Sequence, residues 1–169
     1  MSKIKIAVYG CGNMANGLIR GIYNQNKEIE FHTYTPSHVR AKSLADAVNG
    51  VAHQEIADIP ECDFYLIACK PQQISDLGKR LKGLIANDKT IISILAGTTV
   101  QTLIKNLEQD RIIRVMPNIP CLISEGISLV YLTDNIEKSE NSFIINQLEF
   151  VSKVIVVQKE SKIDEYIGI

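Results

Sequence analysis

The sequence predicts an α/β protein built on a doubly wound sheet, mostly parallel with an antiparallel edge. Three observations predict it. Apolar runs of strand length alternate with stretches whose apolar residues recur at helical spacing, almost from one end of the chain to the other. Several of those runs, such as Phe64-Tyr65-Leu66-Ile67, are apolar at every position, as in a strand covered on both faces. The first run ends in Gly10-Cys11-Gly12-Asn13-Met14-Ala15, a G-x-G-x-x-A turn that leads directly into a helical pattern.

In order, Ile4 to Tyr9 forms the first strand, and Leu18, Ile19 and Ile22 mark one face of the first helix. The polar stretch Asn24-Gln25-Asn26-Lys27 breaks it, and Ile29 to Tyr34 alternates as a strand. Ser37 is placed to cap a helix whose apolar face is Val39, Ala41, Leu44 and Ala47, closed by Asn49-Gly50. A short strand follows around Val51-Ala52. The run Asp63 to Cys69 is a buried strand ending at Lys70-Pro71, and Ile74, Leu77, Leu81, Leu84 and Ile85 repeat at helical spacing. Thr90 to Leu95 is the next strand, and Thr98 or Thr99 caps a helix containing Val100, Leu103, Ile104 and Leu107. Arg111 to Met116 is a strand stopped by Pro117-Asn118-Ile119-Pro120. Ile127 to Leu132 alternates and pairs antiparallel at the sheet edge. A helix from about Lys138 to Ser152 and a strand Val154 to Val157 complete the pattern. The segment from Glu160 begins a helix that the chain does not finish.

Composition narrows the function. At 169 residues the chain holds one domain, or one plus a piece of another, and 46% hydrophobic with 22% charged residues describes an ordinary globular core. A formal net charge of −1 gives no electrostatic reason for a nucleic-acid or anionic-membrane partner, and the absence of Trp argues against base-stacking platforms. No segment approaches the roughly 20 apolar residues of a membrane span. Met1-Ser2-Lys3 lacks the features of a signal peptide, so a cytoplasmic location is expected. Cys11, Cys62, Cys69 and Cys121 show no metal-ligand spacing and are expected as reduced thiols. Cys11 lies where a helix dipole can lower a thiol pKa, although a small residue tolerating a tight turn is the favoured reading.

The glycine turn carries the chemistry. Gly10 takes the backbone angles of the turn, Gly12 leaves room for a pyrophosphate, and Ala15 lets the helix approach the strand. The helix then offers free N–H groups and the positive end of its dipole to the anion. That is a Rossmann-type dinucleotide cradle. The carboxylate that usually follows the second strand and binds ribose hydroxyls is missing: the chain has Tyr34-Thr35-Pro36-Ser37-His38, with Arg40 beyond. Thr35, Ser37 and Arg40 favour a 2′-phosphate, hence NADPH with NADH possible; Thr35-Pro36-Ser37 as a mere turn and cap is nearly as good a reading. The loops at Ala68-Cys69-Lys70-Pro71, Ala96-Gly97 and Pro117-Asn118 follow strands at the edge where open parallel sheets bind ligands. Lys70 either donates to cofactor ribose or phosphate or is a solvated charge, and Pro71 either directs the loop or starts a helix at its first position. His32, His38 and His53 have no nucleophile-elbow partner, the acidic Asp58, Glu61 and Asp63 belong to a solvated loop, and no catalytic acid or base is identifiable.

Taken jointly, Gly10 to Ala15, Ala68-Cys69-Lys70-Pro71-Gln72, Ser93 to Gly97, Arg114-Val115-Met116-Pro117-Asn118-Ile119-Pro120, Gly126 and the helix start at Asp164 resemble pyrroline-5-carboxylate reductase. Ile119 stands where that family usually has Thr, and Asn-Arg is often found near Thr35-Pro36-Ser37. The resemblance implies NAD(P)H-dependent reduction of 1-pyrroline-5-carboxylate to L-proline, the last step of proline biosynthesis. It implies that Gly10, Cys11, Gly12, Asn13 and Met14 hold the pyrophosphate and that Thr35, Pro36 and Ser37 face the adenosine ribose. Ala68, Cys69, Lys70, Pro71, Ala96 and Gly97 would line the nicotinamide ribose and ring, with Asn118 beside them. It also implies residues 1–158 as the dinucleotide-binding domain and 159–169 as the start of a helix into a C-terminal domain, absent here, that dimerises and holds the small imine substrate. Alone, the chain is then expected to bind cofactor and to be inactive. A hydroxyacid-type dehydrogenase on the same scaffold and a non-catalytic NADP-sensing module are the alternatives.

Overall fold

The computed structural model describes residues 3–118 and 126–167. Eight strands form one sheet: β1 (Ile4–Tyr9), β2 (Ile29–Tyr34), β3 (Val51–His53), β4 (Phe64–Ile67), β5 (Thr90–Ser93), β6 (Ile112–Pro117), β7 (Gly126–Leu132) and β8 (Ser152–Val156). Their spatial order is β3-β2-β1-β4-β5-β6-β7-β8. All neighbours pair parallel except β6 and β7. The chain reverses direction across the sheet between β1 and β4, the switch point of a Rossmann-type α/β fold. β7 is antiparallel to β6 as expected, yet it is not outermost. β8 pairs parallel to it from outside, so the antiparallel edge is two strands wide.

The helices are α1 (Asn13–Gln25), α2 (Val39–Ala47), α3 (Ile74–Leu81), α4 (Val100–Leu107), α5 (Lys138–Glu149) and α6 (Ser161–Ile167). They divide between the two faces because the central strands β1, β4, β5 and β6 bury side chains in both directions. Leu18, Ile19 and Ile22 of α1, Ala41 and Leu44 of α2, and Ile144 and Leu148 of α5 cover Ile6, Val8, Ile113 and Val115 on one face. Ile74, Leu77 and Leu81 of α3 with Leu103 and Leu107 of α4 cover Ala7, Tyr9, Ile67 and Ile112 on the other. Each such aliphatic side chain contributes about 1.5–3 kcal/mol on burial. Helices α3 and α4 pack so closely that a Cβ on Gly78 would lie 2.0 Å from the Asn106 carbonyl oxygen.

Several local expectations need correction. Ser37 does not cap α2. A tight turn, His38 N–H to Thr35 O at 3.0 Å, puts His38 in the left-handed region with φ 62° and makes it the residue before the helix. The Thr35 hydroxyl instead accepts from Ala41 N at 3.1 Å. Val39 is 73% exposed and Ala47 is exposed too, while Ala45 and Val48 are buried in their place. Leu84 lies past the end of α3 and is half exposed. α1 continues through Asn24 and Gln25, and β8 starts at Ser152. Thr99, not Thr98, caps α4, accepting from Thr102 N at 3.2 Å. Ile119, Pro120, Cys121, Gly168 and Ile169 lie outside the described residues. Among the described residues no helix is long and apolar enough to cross a membrane.

Candidate functional site

At the switch point the sheet's C-terminal edge opens into a cleft of about 380 Å³. Its floor is the glycine turn. Gly10 has φ 98°, its N–H donates to Tyr34 O at 3.0 Å, and a Cβ there would meet the Ala68 backbone at 2.5 Å. Glycine is therefore required at residue 10 so that the turn after β1 can lie against the end of β4. Gly12 differs: its φ is −74° and a Cβ would have nothing within 4 Å. It borders the cleft as the residue before α1, and its empty side is room for a ligand.

The start of α1 passes a test of fit for a bound anion. Among the described residues no side chain caps it, and its first turn carries no acidic residue. Its orphan N–H groups and dipole are thus unanswered by the described residues. The N-terminus of α4, at the same sheet edge, is already answered: Glu160 Oε1 accepts from Val100 N at 2.6 Å, beside the Thr99 cap.

The walls beyond Gly12 are formed by Tyr34, Thr35, Pro36, Ser37 and Arg40 after β2, by Ala68, Cys69 and Lys70 after β4, and by Gln73, Asp76, Leu77 and Arg80 beyond them. Arg80 was not singled out from the sequence. It stands one helical turn past Asp76 on the edge of the apolar stripe of α3, and its guanidinium lies 5.4 Å from the Tyr34 ring centroid. Arg40, Lys70 and Arg80 form no ion pair among the described residues, so three cations face the cleft against the single carboxylate of Asp76. The Lys70 main chain is engaged, its N–H donating to Gln73 Oε1 at 3.0 Å, and Pro71 occupies the first position of a short 3-10 helix.

Of the residues expected at the site, Gly10, Cys11, Gly12, Thr35, Pro36, Ser37, Ala68, Cys69 and Lys70 line this cleft. Asn13 and Met14 begin α1 beside it. Ala96, Gly97 and Asn118 lie at the ends of β5 and β6, on the same edge but outside the cleft. Gly97 has φ 65°, and Asn118 Oδ1 accepts from Ile127 N at 3.0 Å, tying β6 to β7. Cys11 corrects the dipole reading. Burial pushes its thiol up to about 12, which outweighs a backbone hydrogen bond acting the other way, so it is a small buried residue and no nucleophile. Burial likewise pushes Cys69 up to about 11. Asp58, Glu61 and Asp63 are exposed, as expected of a solvated loop, with Glu61 paired to Lys89 at 2.9 Å and Asp63 Oδ2 accepting from Lys5 N at 2.8 Å.

This geometry has relatives. The chain is 30% identical over 171 residues to pyrroline-5-carboxylate reductase of Vibrio alginolyticus, a match that takes in 99% of the chain and 63% of that protein. Among solved structures, pyrroline-5-carboxylate reductase of Coxiella burnetii superposes with a TM-score of 0.87 at 22% identity, over 97% of this chain and 62% of that one. The Plasmodium falciparum pyrroline carboxylate reductase, solved with NADP bound, gives 0.77 at 23% identity over 95% and 59%. The chain spans about three fifths of the length of the curated relatives it matches. The family model described as "NADP oxidoreductase coenzyme F420-dependent" matches residues 5–97, from β1 through the loop after β5. That is more than half of the chain, which therefore belongs to the NADP oxidoreductase coenzyme F420-dependent family.

Proposed function

We propose that this chain is the cofactor-binding part of an NADPH-dependent reductase that converts 1-pyrroline-5-carboxylate to L-proline. The observation that carries the cofactor half is the start of α1 behind Gly12, which no described side chain caps, opening into a cleft with three cations that form no ion pair among the described residues. The substrate half rests on the similarity to pyrroline-5-carboxylate reductases over 99% of the chain.

Gly10 to Met14 form the pyrophosphate cradle, Gly10 by shaping the turn, since its own N–H is taken by Tyr34 O, and the residues after it through main-chain N–H groups. Thr35, Pro36 and Ser37 face the adenosine ribose. Arg40 and Arg80 flank the position of its 2′-phosphate, where an acidic residue would repel it. Ala68 to Pro71, Ala96 and Gly97 line the path toward the nicotinamide, with Asn118 at its end. When bound there, NADPH would supply a hydride for the carbon of the ring C=N bond, with a proton going to the ring nitrogen. The chain's own part is orientation and electrostatics. That proton comes from water or from a further, helical domain that also holds the substrate. Residues 1–158 are the dinucleotide-binding domain, 159–169 the approach to that helical domain, and the whole enzyme is a cytoplasmic homo-oligomer assembled through it.

The test is cofactor discrimination. Arg40→Glu should lower the ratio of NADPH to NADH affinity, and an unchanged ratio removes Arg40 from phosphate recognition. The 169-residue chain mixed with NADPH and 1-pyrroline-5-carboxylate should show negligible turnover, and brisk turnover would overturn the assignment of substrate binding to another domain.

A further inference from the structure

Arg114 sits in the middle of β6 with no exposed surface, on the face covered by α4 and α6, where the strand's alternation calls for an apolar side chain. Its Nη1 donates to Glu160 Oε1 at 2.8 Å and its Nη2 to Asp164 Oδ1 at 3.1 Å. The same Glu160 oxygen accepts from Val100 N, the first residue of α4. One carboxylate thus joins β6, the start of α4 and the segment leading into α6. Ile163, fully buried, pins α6 between the two acidic residues.

Stability alone does not explain this arrangement. The Arg114 guanidinium gives up all its hydration, while Glu160 and Asp164 stay 24% and 49% exposed and solvent weakens their attraction to it; an apolar residue of similar volume is commonly as stable or more so at such a site. The Arg114 Nε is also buried without a partner among the described residues. What the cluster does secure is position. It ties down the start of α4, and with it the sheet-end loop from Ala96 to Thr99 on the far side of the switch point. In a doubly wound sheet the second mononucleotide lies over that half.

We infer that Arg114 is a positioning residue: with Glu160 and Asp164 it clasps α6 to the sheet and sets the loop before α4, which receives the nicotinamide half of the cofactor. The adenosine half, held over β1, β2 and α3, is outside its reach. This rests on the dinucleotide reading proposed above.

The test compares Glu160→Gln and Asp164→Asn with the parent chain in two ligand titrations and one exchange experiment. The ligands are NADPH and 2′,5′-ADP, which carries the adenosine half only. Glu160→Gln keeps the side chain's shape, and Asp164→Asn removes the outer arm alone should the first variant fold poorly. The expected result is amide exchange faster by about tenfold in α6 and residues 96–103. NADPH affinity should fall about fivefold while 2′,5′-ADP affinity stays within about twofold. Equal loss for both ligands would make the cluster merely structural and overturn the inference, as would no change for either. If the parent chain binds neither ligand, the dinucleotide reading fails and takes the positioning role with it; parent binding with no discrimination in the variants sinks the positioning role alone.

Discussion

Gly10 and Gly12 lie two residues apart, and the structure gives them opposite duties that alanine substitution separates. At residue 10 an alanine must adopt φ 98°, a conformation that L side chains rarely take. Strain of that kind costs about 1–3 kcal/mol. Its Cβ would also press to 2.5 Å on the Ala68 carbonyl, inside the 3.4–4 Å of ordinary contact. Displacing that backbone adds about 1–3 kcal/mol. The sum, about 2–6 kcal/mol, is a large part of a domain's usual 5–15 kcal/mol. At residue 12 the angles suit any residue and the added methyl meets nothing. The expected stability loss is about 0.5–1 kcal/mol, the difference between Gly and Ala ahead of a helix. That methyl enters the open space proposed for the pyrophosphate, so Gly12→Ala should weaken NADPH by at least about tenfold, or 1.4 kcal/mol. Urea denaturation and NADPH fluorescence titration on both variants give the four numbers. A Gly12→Ala chain that binds NADPH as the parent does, or a Gly10→Ala chain as stable as the parent, would refute the division of labour.

Two further outcomes follow from the packing and from the histidines. Gly78→Ala forces α3 away from the Asn106 carbonyl, and the overlap outweighs the better helix propensity of Ala; a net loss of about 1–2 kcal/mol is expected. An unchanged urea midpoint would mean that the two helices are not in such close contact. His53 is held below its ordinary pKa first by burial, then by His32, whose Nδ1 lies 2.8 Å from His53 Nε2, with His38 adding to the effect and Asp58 opposing it. A lowered native pKa means that the unfolded chain binds the proton more readily. Stability is then fullest above the unfolded value of about 6.5 and declines as pH falls below it. His53→Gln should flatten that decline in urea midpoints measured from about pH 7.5 to about 5.5. Equal slopes in parent and variant would remove His53 from the effect.

What was legible in the sequence is what local chemistry decides. β1, β2 and the glycine turn were recoverable because apolar alternation and two glycines act over neighbouring residues. Ser37 misled because its capping role depends on a turn that places His38, not Ser37, before α2. Arg80 escaped because on a helix it is one more exposed cation; only the crossover from β4 through α3 brings it over Tyr34. Arg114 stands out in the sequence only as the first residue of a family motif; its ion-pair role is hidden because its partners lie 46 and 50 residues away. The outermost position of β8 likewise depends on the path of α5 across the sheet, which no short window contains.

Calorimetric titration of the purified 169-residue chain with NADPH, repeated with NADH, bears most directly on the cleft as a dinucleotide site. Stoichiometric binding of NADPH is expected, tighter than NADH and displaced by 2′,5′-ADP. An absence of NADPH binding by a folded chain, or binding that 2′,5′-ADP leaves untouched, would contradict it.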